Sequence, residues 1–526
     1  MTNETDPVRA VAAGYTFDGP TLDLGALMVD GQPHPDAQIR IPLAMLTRHG
    51  LVAGATGTGK TRTLQGLAEQ LSAAGVPVFL ADMKGDLSGM AAPGEGSEKL
   101  TARTRALGQQ WSPKAFPCEF YALGGQGTGI PVRATVSAFG PTMLGKVLDL
   151  NATQESSLGL VFHFADTKGW LLLDLKDLRS VLLYLTSDEG KAELKAIGGL
   201  SPQTVGVILR ELTAFEAKGA EPFFGETEFG ALDLIRSTPD GRGVVSLLEL
   251  PGVASRPELF STFLLWLVAE LFERLPEVGD LDRPKLVFFF DEAHLLFNGA
   301  SKAFVAAITQ AVRLIRSKGV GIFFVTQTPK DVPGDVLAQL GNRVQHALRA
   351  YTPDDAKALK ATVSTFPKSQ YDLAEVLQNL GIGEAVVTVL SENGAPTPVA
   401  WTRLRAPESL MAEADPAVVQ GIVNASPLLA TYGPAIDRES AYEILAAREA
   451  QAQQAAEDAA AAKEAAKEME DEAKRAEREA RSRPTAAPKA PPNLIDQALG
   501  SATVKRAMNT AVREITRSIF GTRKRG

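Results

Sequence analysis

A chain of 526 residues is too long for one ordinary hydrophobic core, so a main domain with appended segments is expected. Its hydrophobic fraction of 45% suffices for a sizeable core, while a net charge of −8 excludes the overall basic signature of a nucleic-acid binder; any polyanion must be met by a local patch. Cys118 is the sole cysteine, which excludes an internal disulfide and a cysteine-rich zinc site and fits a reducing cytoplasm.

The first 14 residues carry acids and no basic stretch followed by an apolar run, so no signal peptide is expected. Residues 1–45 form a short N-terminal β segment, with small strands at 15–17, 26–29 and 39–41 and too little chain for a separate β-barrel. From residue 46 the pattern changes to short apolar runs, at 50–53, 76–81, 243–250, 286–290 and 321–326, alternating with helical stretches. Such runs imply an α/β fold with a mostly parallel sheet covered by helices on both faces. The core is divided into 46–135 and 241–405 by an amphipathic helical insertion over 136–240, with helices near 171–185 and 201–218. Residues 259–272, interrupted by Glu270, are too short to span a bilayer and read as a buried helix.

A hairpin over 385–404, turning at Glu392-Asn393-Gly394, closes the core. C-terminal helices follow over 406–483. From about residue 436 they are dominated by Ala, Glu, Lys and Arg, with too few large apolar residues for a coiled-coil seam, so a long solvated helix is expected. A Pro-rich linker occupies 484–492. The tail over 493–526 is amphipathic and basic: Lys505, Arg506, Arg513, Arg517, Arg523, Lys524 and Arg525 stand against Glu514 alone from residue 501 onward. A loose solvated amphipathic helix, a contact with DNA and a contact with an acidic face of the ring are all open for it.

Chemistry concentrates first in Gly54-Ala55-Thr56-Gly57-Thr58-Gly59-Lys60-Thr61, followed by Arg62, between a strand and a helix. Glycines let the backbone curl so that its N–H groups face phosphate oxygens, and the helix start adds its positive end. Lys60 would reach the β- and γ-phosphates of ATP, and Thr61 would offer its hydroxyl to Mg²⁺. The apolar run 286–290 ends in Asp291 and Glu292. Asp291 alone could be a helix cap; beside a P-loop it reads as a holder of the Mg²⁺ shell, and Glu292 as the base for the attacking water. His294 is as readily structural as a relay. Gln327, at the end of another buried run, could orient that water or be an ordinary strand-end hydrogen bonder. Asp82 and Lys84 follow a strand and belong near the ligand crevice. Arg313, Arg316, Arg343 and Arg349 are candidates to supply positive charge to the transition state.

Taken together, Gly54 to Thr61, Asp82-Met83-Lys84-Gly85-Asp86, Pro276-Glu277-Val278-Gly279-Asp280, Phe290-Asp291-Glu292-Ala293-His294 and Val325-Thr326-Gln327-Thr328-Pro329 resemble the bacterial HerA-like ATPases over roughly residues 10 to 405. The resemblance implies a RecA-like P-loop ATPase core related to the FtsK and VirB4 motors, assembled as a homo-hexamer with ATP between subunits. It implies that Lys60, Thr61, Asp291, Glu292 and Gln327 form the nucleotide site, and that Arg316 is the arginine finger in preference to the other three. Archaeal HerA proteins begin with a nuclease-binding β-barrel, which this chain replaces with a short segment.

Three functions compete. The first is an oligomeric ATP-hydrolysing motor that translocates on or remodels DNA. The second is a VirB4-like ATPase acting on protein, which needs a membrane partner because no membrane span is expected here. The third is a nucleotide-dependent scaffold of low turnover that recruits a protein partner through its charged helix or basic tail. A guanine-reading Asn-Lys-x-Asp motif is absent, which disfavours a GTPase.

Overall fold

The computed structural model describes residues 7–194, 198–250, 257–298 and 302–482. The linker at 484–492 and the basic tail at 493–526 lie outside the described residues. Contacts divide the chain into two units, Met1–Arg448 and Glu449–Gly526. Residues of the expected segments 1–45, 46–135, 136–240 and 241–405 all belong to the first unit.

That unit is built on one sheet of twelve strands: β1 (Thr21–Val29), β2 (Gln32–Pro42), β3 (Gly50–Ala53), β4 (Val78–Asp82), β5 (Cys118–Leu123), β6 (Ile130–Val132), β7 (Val245–Glu249), β8 (Leu286–Phe290), β9 (Val320–Thr326), β10 (Asn342–Gln345), β11 (Glu384–Thr388) and β12 (Ala400–Leu404). Their spatial order is β2-β1-β12-β11-β10-β3-β9-β8-β4-β7-β5-β6. The run from β10 to β6 is parallel throughout. Beyond β10 the sheet continues antiparallel through β11, β12, β1 and β2.

Every residue of β3, β4, β8 and β9 is buried, which is why these strands read as continuous apolar runs rather than alternating ones. Rings interlock between neighbouring strands, with Phe79 and Phe288 centroids 5.0 Å apart and Phe289 and Phe323 5.2 Å apart. Helices Val136–Val147, Ala152–Lys168, Leu175–Thr186, Asp188–Leu194 and Pro202–Ala217 lie between β6 and β7.

Three expectations change. The N-terminal β segment is not a set of small strands. Nine-residue β1 and eleven-residue β2 form a hairpin that joins the core sheet through β12. Residues 15–17 are not a strand: Tyr15 is buried in a loop, and its hydroxyl lies 2.7 Å from the Pro398 carbonyl. Strands β5, β6 and β10 lie outside the apolar runs that the sequence shows. The hairpin expected over 385–404 is formed by β11 and β12, in register from Glu384 opposite Arg403 to Val387 opposite Ala400.

After β12 the chain crosses the helix Lys60–Ala73 and is fastened to it. The Glu69 carboxylate accepts from the Glu408 N–H at 2.8 Å and the Ser409 N–H at 3.0 Å, and Gln65 donates to the Ser409 hydroxyl at 2.6 Å. The helix Ala441–Ser482 has 42 residues, about 63 Å at 1.5 Å per residue. From residue 446 it is exposed at every described position, as its lack of a large apolar stripe requires. Among the described residues no helix is long and apolar enough to cross a membrane.

Candidate functional site

The loop between β3 and the helix Lys60–Ala73 stands at the carboxyl ends of the parallel strands, where ligands of such sheets bind. Gly57 and Gly59 have φ of 78° and 108°, values that glycine adopts without a steric penalty, and they curl the backbone into the helix start. Gly54 is required by proximity: a Cβ there would come within 2.4 Å of the His346 Cβ. The Gly54 N–H donates to the Thr326 carbonyl and the Ala55 N–H to the Ala347 carbonyl, so the ends of β9 and β10 hold the loop from either side. Lys60 lies within it, donating from Nζ to the Gly54 carbonyl at 2.6 Å and the Ala55 carbonyl at 3.2 Å. Burial lowers its pKa, and the nearby charges of Glu292 and Asp291 partly offset this. Thr61 is half-buried one residue into the helix.

Strand β8, two strands away from β3, delivers Asp291 and Glu292 to the same end of the sheet. Asp291 is 3% exposed; its Oδ1 accepts from the Glu292 N–H at 2.9 Å, whereas its Oδ2 is buried with no hydrogen-bond partner. Burial, then the charge of Glu292, pushes the Asp291 carboxyl up to about 7. A buried carboxylate oxygen left bare is the donor a divalent cation would satisfy, so the residues present fit Mg²⁺.

Glu292 has a φ of 48°, an uncommon conformation for a residue with a Cβ, which sets its side chain apart from the line of the strand. Its Oε1 accepts from Lys84 Nζ at 2.6 Å, and its Oε2 lies 3.3 Å from His294 Nδ1. Burial disfavours its charge, but the Lys84 hydrogen bond and charge, with those of His294 and Lys60, outweigh burial and hold the carboxyl below its ordinary value.

Asp82 explains how Lys84 gets there. Fully buried at the end of β4, it accepts from the N–H groups of Lys84 (3.1 Å), Gly85 (2.7 Å) and Leu87 (2.9 Å), curling the chain so that Lys84 points at Glu292. Its place is that of a loop organiser.

The remaining candidates are more scattered. Gln327 is exposed one residue beyond β9, next to the residue whose carbonyl binds the Gly54 N–H. Arg62 is half-buried and donates to Gln65 Oε1 at 2.7 Å. Arg343 and Arg349 donate to the Thr365 and Gln378 carbonyls. Arg316 precedes β9, so it stands at the opposite end of the sheet from its own P-loop, a strand length of about 20 Å away. With Arg48 and Arg313 it lines a groove of about 380 Å³ beside residues 278–281.

His346, which no sequence motif marks, is completely buried under the P-loop. Its Nδ1 lies 3.1 Å from the Thr58 carbonyl, so Nδ1 carries the proton and donates, while Nε2 accepts from the Thr63 hydroxyl at 2.9 Å. No local motif surrounds it; only the pairing of β10 with β3 brings it to the loop.

The family model described as "Helicase HerA-like C-terminal" matches residues 28–526. Comparison with curated protein sequences finds no match. Among solved structures, the bacterial conjugative coupling protein TrwBdeltaN70 shares the fold at a TM-score of 0.50 and 16% identity, covering 78% of this chain and 94% of that one. The structure of VirB4 of Thermoanaerobacter pseudethanolicus gives a TM-score of 0.46 at 14% identity, covering 77% and 99% of the two chains. With nearly the whole sequence matched to that family model, on a RecA-like P-loop ATPase fold, the chain belongs to the helicase HerA-like C-terminal family.

Proposed function

We propose that this protein hydrolyses ATP with Mg²⁺ as a homo-hexameric motor of the HerA/FtsK type that translocates on or remodels DNA. One observation carries the hydrolytic reading: Lys60, Asp291 and a Lys84-held Glu292 converge at one end of a parallel sheet.

In this reading the backbone of residues 54–61 and the Lys60 ammonium bind the phosphates. Thr61 and Asp291 would hold Mg²⁺, which would supply neutralisation of the phosphate charge. Glu292 takes a proton from the attacking water as that water's oxygen bonds to the γ-phosphorus and the bond to the β,γ-bridging oxygen breaks, leaving ADP and phosphate. Gln327 orients the water or senses the γ-phosphate from the end of β9. Arg316 serves the nucleotide of a neighbouring subunit, a role that its distance from its own P-loop supports. Membership of a helicase-like family supports DNA as the polymer, and the basic sequence of 493–526 offers phosphate contacts.

ATPase activity measured with and without double-stranded DNA at low salt, beside a mass measurement of the assembly, tests this reading. Turnover stimulated by DNA in a six-subunit species is expected, and Glu292→Gln should abolish turnover while leaving ATP binding intact. Monomeric protein whose hydrolysis ignores DNA, and which co-purifies with envelope proteins, would favour a protein-transport ATPase instead.

A further inference from the structure

The P-loop has two flanks. Across β9 on one side stand Asp291 and Glu292. On the other are β10, β11 and the turn Leu380-Gly381-Ile382-Gly383 that enters β11. β10 is parallel to β3 and β11 antiparallel to β10, so the beginning of β11 lies at the same end of the sheet as the P-loop.

This turn is fixed to the loop. The Gly383 N–H donates to the Thr58 carbonyl at 2.9 Å, and a Cβ on Gly59 would come within 3.3 Å of the Gly383 Cα. Arg103 donates to the carbonyls of Gly383 (2.8 Å) and Leu404 (3.0 Å). Glu384 ties the other side, accepting from the Gly381 N–H and the Trp401 indole at 3.1 Å each and from Arg403 at 2.8 Å. Gly383 adopts a φ of 72°, as this tight turn needs.

On this anchored turn the Ile382 side chain is 77% exposed, whereas Leu380 and Glu384 are buried. Single exposed aliphatics are common and decide nothing alone. What sets Ile382 apart is a rigid mount, one residue from a direct contact with the P-loop. The acids that hold the cation and activate water fix where the γ-phosphate must lie. With the phosphate end of the ligand held against the β8 acids, the flank left for its nucleoside end includes β10 and β11, on the other side of β3 in the sheet.

The geometry points to Ile382 as one wall of a nucleobase site, its aliphatic side chain covering a face of the purine ring. This rests on the reading of the P-loop as an ATP site. Flat aromatic bases are well served by a fixed apolar surface, because little side-chain freedom is lost on contact.

The test compares binding of MgATP and of magnesium tripolyphosphate, which lacks the nucleoside, to the full chain by calorimetry. Ile382→Ser is expected to weaken MgATP binding about tenfold and leave tripolyphosphate binding unchanged, the size expected for losing contact with a half-buried aliphatic. Ile382→Leu should retain wild-type preference for ATP. Leu183→Ser, an exposed aliphatic on the helix Leu175–Thr186, should change neither affinity. An unchanged MgATP affinity in Ile382→Ser would overturn the proposal, and so would equal losses for both ligands, which would put Ile382 under the phosphates. Wild-type protein that binds tripolyphosphate as tightly as ATP would also exclude a base site. Binding of neither ligand would instead remove the ATP reading beneath it.

Discussion

The Lys84 ammonium donates to Glu292 at 2.6 Å, joining two residues that lie 208 positions apart in sequence. Each is presented by a loop that follows a buried strand, and β4 and β8 are neighbours in the sheet. The pair gives the proposed base a fixed direction and a counter-charge in a place where burial disfavours its charged form.

Lys84→Met should therefore lower kcat for ATP hydrolysis by about ten- to a hundredfold, the range associated with a displaced general base, and change KM little. Lys84→Arg, which keeps a charged donor, should recover part of the loss. A raised KM with kcat intact would mean that Lys84 meets the nucleotide rather than serving Glu292.

His346 yields a prediction about stability. Burial, reinforced by the Lys60 charge, pushes its pKa down from 6.5 to about 3. Because the folded value is the lower one, the unfolded chain takes up the proton first as pH falls. The contribution of His346 to stability is therefore complete above pH 6.5 and erodes as pH falls toward 3. His346→Asn keeps an N–H donor for the Thr58 carbonyl and removes the titration. Its melting temperature should fall less steeply than that of the wild type between pH 6.5 and about pH 4, measured by scanning calorimetry. His346→Ala removes one of the two donors to the Thr58 carbonyl, leaves the Thr63 hydroxyl only the Gly59 carbonyl and empties a buried site under the P-loop, so it should cost about 1–3 kcal/mol at neutral pH. Parallel melting curves for wild type and His346→Asn would show that the ring is not held neutral by the fold.

What was legible in the sequence was whatever a contiguous stretch must encode. A phosphate cradle needs successive N–H groups, so Gly54 to Thr61 announces itself, and a buried strand ending in acids does so at Asp291 and Glu292. Contacts between distant segments left no such trace. His346 and Gly383 reach the P-loop only through strand pairing. β10 was invisible because it is not an apolar run: Asn342 and Gln345 are buried polar residues, bonded to the carbonyls of Met45, His49 and Ala53. The N-terminal hairpin was underestimated for a related reason, since the polar and Pro-containing first half of β2 breaks the alternation that would mark a strand.

Arg316 offers the sharpest test of assembly, because it is a strand length from its own P-loop and can act only on a neighbour's nucleotide if it acts at all. Arg316→Ala and Glu292→Gln should each be inactive alone. Mixed after dissociation and reassembled in equal amounts, they should regain activity. A site formed by the intact Glu292 of one subunit and the intact Arg316 of the next is then wild type, and random mixing around a ring makes about one quarter of the sites so. If Arg316 instead served its own subunit, every site in the mixture would carry one of the two defects and no activity would return. Recovery at about a quarter of the wild-type rate would assign the finger in trans; a mixture as inactive as its components would return Arg316 to the groove it shares with Arg48 as a structural cation.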